Sequence, residues 1–369
     1  MRHFITRGGV IGFTFFLLAA CSTPTPVSEV TNISQVTATP TLRPTLTATP
    51  APTNTPTPTA TSTSTPTPTP TPNPLDVEWM RQQSYPGSDL TIERELAAGP
   101  NYKQYVASYQ SEGNKNYGLL AIPTGDKPPT GWPAIIFNHG YIPPDVYSTT
   151  DSYASHVRSL ARSGYVVFKP DYRGHDNSEG EPRGGYGTPA YTIDVLNAVA
   201  AVKSLPEVDP NRLGMFGHSM GGHVTLRSMV TTGDIKAGVI WAGVVASYPD
   251  LLNNWRRPIP ASIPRQALRW RETFVQENGT PEQNPEFWNS ISPIAYVDDI
   301  SGPLQLHHGT NDADVPLEFS ESLDQAMQAT GQTVEYYVYN GDNHNLLNNW
   351  GTVMRRTIEF FDKHVKGAS

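Results

Sequence analysis

Apolar and polar positions divide this 369-residue chain into three differently patterned stretches. Gly8 to Ala20 is a short, almost unbroken apolar run. Ser22 to Pro74 shows no hydrophobic periodicity: Thr and Pro dominate, with almost no charge. From Leu75 onward the periods of packed strands and helices appear.

In that third stretch, Tyr102 to Gln110 and Tyr117 to Ile122 alternate around Glu112-Gly113-Asn114, which predicts an antiparallel hairpin. Thr91 to Leu96 reads as an extra edge strand. A continuous apolar run follows at Ala134 to Asn138, and further strands read at Tyr165 to Phe168, Arg212 to Phe216, Ala237 to Trp241, Leu304 to His308 and Val334 to Tyr339. Such runs mark strands buried on both faces. Helical patterns lie between them: Thr150 to Arg162, Pro189 to Ser204, a helix from about Gly222, Leu317 to Thr330, and a last one ending near Val365. Strands alternating with helices after a hairpin predict an α/β fold, with eight principal strands in a mostly parallel sheet and helices on both faces. Ligands in such sheets bind at the carboxyl ends of the strands. The alternation lapses between Val244 and Tyr296, where Tyr248, Trp255, Trp270, Phe274 and Trp288 sit among several arginines. We expect a helical cap insertion at about residues 246–290. Its arginines could grip a substrate carboxylate or simply form a solvated face.

The first two stretches do not read as folded domain. Arg2, His3 and Arg7 precede the apolar run, which is too short to span a bilayer comfortably. It ends in Leu18-Ala19-Ala20-Cys21, the pattern of a secretory signal peptide over residues 1–20. The ending resembles a bacterial lipobox, which implies lipidation of Cys21. Cys21 is also the single cysteine, so no intrachain disulfide is available. The Thr/Pro composition of residues 21–74 cannot bury enough surface to fold and favours extended polyproline spacers. The expected organisation is an extracytoplasmic domain, residues 75–369, tethered through a lipid to the bacterial cell membrane. The net charge of −8 argues against a nucleic-acid footprint. With no Gly-rich phosphate loop and no paired-cysteine spacing, no cofactor or metal is expected.

Gly217-His218-Ser219-Met220-Gly221 lies between a predicted strand and a predicted helix. It is similar to the nucleophile elbow of α/β-hydrolases, where a sharp turn lifts the serine hydroxyl to the top of the sheet. A serine hydroxyl is a weak nucleophile and needs a base, which in turn needs an orienting acid. In this fold the partners follow in the order Ser, Asp or Glu, His. The acid belongs after the seventh strand, in His308-Gly309-Thr310-Asn311-Asp312-Ala313-Asp314-Val315-Pro316. Asp312 matches the spacing of related hydrolases, and Asp314 reads as a loop-capping carboxylate. The base belongs after the eighth strand, where Gly341-Asp342-Asn343-His344 follows Tyr339, so His344 is the candidate. His307, His308, His364, His218 and His223 read as structural, with His218 directed elsewhere by the elbow. The backbone N–H groups of Met220 and Tyr141 are the candidate oxyanion donors, with His139 a prop of the loop.

Together these residues resemble the catalytic domain of the prolyl oligopeptidase family. The carriers are Asp171-Tyr172-Arg173-Gly174-His175, Ser178-Glu179-Gly180, Val208-Asp209-Pro210-Asn211-Arg212, the Ser219 elbow with Gly222, Ser292-Pro293, and His308-Gly309 with Asp312. The resemblance spans about Trp132 to Val365. It implies the α/β-hydrolase fold and a serine hydrolase with the triad Ser219, Asp312, His344, acting on a small ester or peptide. Family peptidases usually carry a β-propeller, but only about 60 residues lie between the Thr/Pro linker and the third strand here, too few for its blades. A tyrosine ahead of the loop glycine is replaced by Asn138-His139. We therefore expect a serine peptidase without a propeller, with a carboxylesterase as the alternative. A non-catalytic surface binding module would have no use for three polar residues at three strand ends.

Overall fold

The computed structural model describes residues 72–255 and 269–367. The expected signal peptide, Cys21 and nearly all of the Thr/Pro segment lie outside the described residues, as do Arg256, Arg257 and Arg265 of the cap. No helix among the described residues is long and apolar enough to cross a membrane.

The chain begins with the short helix α1 (Val77–Arg81), then β1 (Thr91–Glu95), β2 (Tyr102–Ser111), β3 (Asn114–Pro123) and β4 (Trp132–Asn138). Helix α2 (Ala154–Arg162), β5 (Val166–Pro170), α3 (Ala190–Lys203), β6 (Val208–His218), α4 (Met220–Thr231) and β7 (Ile235–Trp241) follow. The cap region holds α5 (Tyr248–Asn253), α6 (Arg269–Asn278) and α7 (Pro285–Ser290). The chain then returns through β8 (Leu304–Gly309), α8 (Leu317–Ala329), β9 (Val334–Tyr339) and α9 (Trp350–Phe361).

One mixed sheet runs β1-β2-β3-β5-β4-β6-β7-β8-β9. The edge segment pairs antiparallel to β2, so the sheet has nine strands and not the eight counted from the principal runs. The β2–β3 hairpin closes on Glu112 and Gly113 at φ 47° and 80°, the two left-handed residues of the turn whose twist matches its strands. From β5 to β9 every pairing is parallel. The chain moves outward from β4 to β5, then crosses back to β6 on the other side of β4. That reversal opens a crevice at the carboxyl ends of β4 and β6.

Alternate residues of the central strands serve opposite faces, as the two-residue period requires. Ala134 and Ile136 join the core under α3, α4 and α8, while Ile135 and Phe137 face α2 and α9. Helices α3 and α4 are buried almost all round, which makes the platform behind the elbow rigid. The cap helices pack into a cluster with Trp270, Phe274 and Trp288 buried against Val244, Tyr248 and Phe319.

The helix expected from Thr150 begins only at Ala154. Tyr153 holds φ 59° and ψ 17°, which ends the preceding turns and starts the helix in a new direction. A bulky residue takes that left-handed conformation only when its surroundings enforce it.

Candidate active site

Ser219 connects β6 to α4 at φ 56° and ψ −117°, a conformation that costs a non-glycine residue roughly 1–3 kcal/mol. Neighbouring strands hold it there. Its N–H donates to the Trp241 carbonyl at 3.0 Å, and its carbonyl accepts from the N–H groups of Val244 and Gly222, each at 3.0 Å. The flanking glycines are steric necessities. A Cβ on Gly217 would run into the Gly221 carbonyl, and one on Gly221 into the carbonyl of Asn138 on the adjacent strand β4.

Asn138 lies opposite Gly217 in the β4–β6 register, so the loop Asn138 to Tyr141 stands beside the serine. Each polar group of this loop for which a bond is seen is tied inward. Asn138 Nδ2 donates to Thr225 Oγ1 at 2.8 Å, and the His139 carbonyl accepts from the Tyr172 hydroxyl at 3.0 Å. His139 Nδ1–H donates to the Gly140 carbonyl at 2.8 Å, with its ring between Tyr147 and Tyr172 at 4.4 and 4.2 Å. Burial drives the His139 pKa well below its usual value. His139 is therefore a neutral prop of the loop. Met220 is the first residue of α4, so its N–H has no carbonyl one turn back within the helix. Gly140, Tyr141, Ser219 and His344 line one open cleft of about 670 Å³.

The acid and base candidates meet. His344 Nδ1 lies 2.7 Å from Asp312 Oδ2, with both side chains largely buried at 12% and 1% exposure. The pairing fixes the proton on Nδ1 and leaves Nε2 as the basic nitrogen. Asp312 does the loop-capping work that the sequence pointed to in Asp314. Its Oδ1 accepts the N–H groups of Asp314 and Val315 at 2.6 and 2.8 Å. His308, placed among the structural histidines, also reaches Asp312 Oδ2, at 3.0 Å. Burial alone would raise the Asp312 pKa, but hydrogen bonds from His308 and His344 outweigh it and hold the carboxyl well below the usual range. The base loop has its own clamp. Buried Asp342 accepts the N–H groups of Asn343, Asn348 and Asn349 at 2.9 to 3.1 Å, and the Asn349 side chain at 2.9 Å.

His218 corrects its expected orientation. Its ring packs on His344 with 4.7 Å between centroids, and Nε2 lies 3.0 Å from the His344 carbonyl. Its Nδ1 meets the Tyr153 hydroxyl at 2.6 Å. Neither Tyr153 nor the His308 contact was legible in the sequence; the only local signal was a tyrosine near a helix start. Of the remaining sequence motif, Arg173 makes a fork to buried Asp194 at 2.9 and 2.6 Å, so that run is structural.

Asp312, Asp314 and His344 bring ligand atoms within 4.8 Å of one another. A cation there would compete with the His344 N–H for Asp312. In the cap, Arg269 is exposed, while the half-buried Arg271 lies 5.6 Å from the ring centroids of both Trp255 and Trp270. Trp255 Nε1–H donates to the Asp314 carbonyl at 3.1 Å, which joins the cap to the acid loop.

The sequence profile of the prolyl oligopeptidase family matches residues 151–368, and the chain belongs to that family. It is 28% identical over 259 residues to the uncharacterized peptidase YtmA of Bacillus subtilis, a match covering 69% of this chain and 92% of that one. It is 30% identical to the uncharacterized peptidase YuxL of the same organism, over 70% of this chain but only 37% of YuxL. Among solved structures, the acetyl xylan esterase of Paenibacillus sp. R4 superposes with a TM-score of 0.59 at 17% identity, covering 77% of this chain and 92% of the esterase. An acylaminoacyl peptidase bound to a chloromethyl ketone superposes at 0.57 with 22% identity, over 72% of this chain and 42% of the peptidase. The fold is that of the α/β-hydrolases, and the family and its neighbours mark the chain as a hydrolase.

Proposed function

We propose that the protein is a serine hydrolase working through an acyl-enzyme, held outside a bacterial membrane by lipid on Cys21 and spaced from it by the Thr/Pro segment. The observation that supports it most is the His344–Asp312 hydrogen bond in the cleft that also presents Ser219 on a strained elbow. Ser219 Oγ attacks the substrate carbonyl carbon as His344 Nε2 takes the hydroxyl proton. The N–H groups of Met220 and Tyr141 receive the charge that develops on the carbonyl oxygen. Collapse expels the leaving group, which takes the proton from His344. Water, deprotonated by the same nitrogen, then cleaves the acyl-enzyme. Asp312 stays ionised and stabilises the imidazolium.

The substrate we favour is a short peptide, in keeping with the family and with the peptidase names of YtmA and YuxL. One observation favours a carboxylesterase as second reading. Among the described residues, the segment before β4 adds β1, β2 and β3 to the catalytic sheet, and the cleft is open. Assay of the purified protein on chromogenic dipeptides and on p-nitrophenyl esters decides between them. The peptidase reading expects dipeptide cleavage that depends on Ser219. Ester turnover with no dipeptide cleavage would replace it with the esterase reading.

A further inference from the structure

The oxyanion loop follows β4 and the base loop follows β9, with three strands between them in the sheet. No strand pairing joins the two. Catalysis by this kind of site requires them to be held to within about half an ångström of a common geometry. One continuous run of side-chain hydrogen bonds crosses the gap. The Gly140 N–H donates to the Tyr153 hydroxyl at 3.1 Å. The Tyr153 hydroxyl meets His218 Nδ1 at 2.6 Å. His218 Nε2 meets the His344 carbonyl at 3.0 Å.

The direction of every bond follows from chemistry. The His344 carbonyl can only accept, so His218 carries its proton on Nε2. In a neutral imidazole Nδ1 is then an acceptor. The Tyr153 O–H must therefore donate to Nδ1, which leaves its lone pairs for the Gly140 N–H. His218 is buried, and burial beside His344 disfavours a second proton on its ring. A single assignment thus satisfies all three contacts.

Two further features show that the run is built in. Tyr153 takes a left-handed backbone conformation that shapes the start of α2. Gly140 leaves no room for a side chain: a Cβ there would stand 2.6 Å from the Tyr153 hydroxyl, 3.2 Å from His218 Nδ1 and 3.2 Å from the Ser219 Cβ. The glycine lets loop, tyrosine, histidine and serine converge.

We propose that Tyr153 and His218 are positioning residues that lock the oxyanion loop to the base loop. Tyr153 acts through Gly140 on the neighbouring Tyr141 N–H, and His218 acts through the His344 backbone on the base. The inference rests on reading Ser219, Asp312 and His344 as the triad.

The test compares the wild type with Tyr153→Phe, His218→Asn, His218→Gln and the double variant Tyr153→Phe/His218→Asn. His218→Asn keeps an acceptor near Tyr153 but loses the donor to His344. His218→Gln can still reach the His344 carbonyl. The main readout is the rate of labelling by a fluorophosphonate probe, beside the melting temperature and kcat and KM on p-nitrophenyl acetate. We expect Tyr153→Phe and His218→Asn each to slow labelling about 10- to 100-fold. The loss should fall on kcat with KM little changed, and His218→Gln should recover part of it. The double variant should be no slower than about threefold below the slower single one, because one break already uncouples the loops. Folded variants that label at the wild-type rate, or single losses that multiply in the double variant, would overturn the proposal. Imidazole nitrogen shifts from NMR of the wild type give an independent check, since an Nδ1–H tautomer for His218 would refute the assignment even if every variant failed to fold. Absence of labelling in the wild type would instead refute the underlying triad.

Discussion

His344 Nδ1 and Asp312 Oδ2 lie 2.7 Å apart although 32 residues separate them in the chain. Strands β8 and β9 are parallel neighbours whose ends, Gly309 and Tyr339, are paired. The loops leaving those ends are therefore side by side, and the two side chains meet without any excursion of the backbone. The consequences of this pairing can be checked one residue at a time.

Ser219→Ala should abolish labelling by a fluorophosphonate probe while leaving the melting curve unchanged, because the strained elbow is held by backbone bonds and not by the hydroxyl. His344→Ala should act nearly as strongly, since triad members work as a unit. Undiminished labelling of the alanine variant at position 219 would remove it as the nucleophile.

Asp312→Asn should reduce kcat on the order of 10⁴-fold, because an amide no longer fixes the imidazole tautomer. Asp314→Asn should cost far less, as it is Asp312 that receives His344. Steady-state kinetics of the two variants decide this, and a larger loss at position 314 would reverse the assignment.

The protein should lose stability as pH falls below about 6.5. His139, His218, His223 and His307 are buried, and burial lowers the pKa of each, that of His307 to about 3. Below pH 6.5 the unfolded chain takes up protons that the folded chain refuses, so unfolding becomes easier as pH drops. The stability is present in full above the unfolded pKa and is lost as pH falls toward the folded ones. Each such histidine contributes up to about 1.4 kcal/mol per pH unit. Urea midpoints at pH 7, 6 and 5 test this. A midpoint that stays flat or rises on acidification contradicts it.

Arg271→Met should raise KM for p-nitrophenyl hemisuccinate about 10- to 100-fold more than for p-nitrophenyl butyrate, the range of a lost charge-assisted hydrogen bond. The guanidinium is half-buried near two tryptophans, its Nε has no hydrogen-bond partner among the described residues, and Trp255 bonds to the acid loop. An anionic acyl group beneath the cap would pair with the guanidinium. Equal KM changes for the two esters would show that this arginine only packs on its aromatic neighbours.

Cys21→Ser should move the protein from the membrane fraction to the soluble fraction of cells that express the whole chain. One acyl chain binds a bilayer only marginally, so firm retention of the wild type requires the several chains of a lipoprotein. Unchanged fractionation of the serine variant would point to another anchor.

Local pattern sufficed for much of this. Continuous apolar runs marked the central strands, because a strand covered on both faces has no polar side to show. Gly217 to Gly221 announced the elbow, because the close approach of Asn138 admits no side chain at Gly221. The spacing after β8 and β9 singled out Asp312 and His344. What the sequence could not carry is the set of partners chosen across the sheet. Tyr153 and His218 are 65 positions apart, and His218 and the His344 carbonyl 126. The helical pattern placed a helix start at Thr150, but Tyr153, whose hydroxyl is bonded to Gly140 and His218, takes a left-handed backbone and the helix begins at Ala154. His308 read as a strand-end residue until the β8 loop folded Asp312 back onto it. Periodicity records which face of an element is apolar. Which polar atom meets which is decided only when strands leave the sheet at neighbouring ends and every buried donor must find an acceptor there.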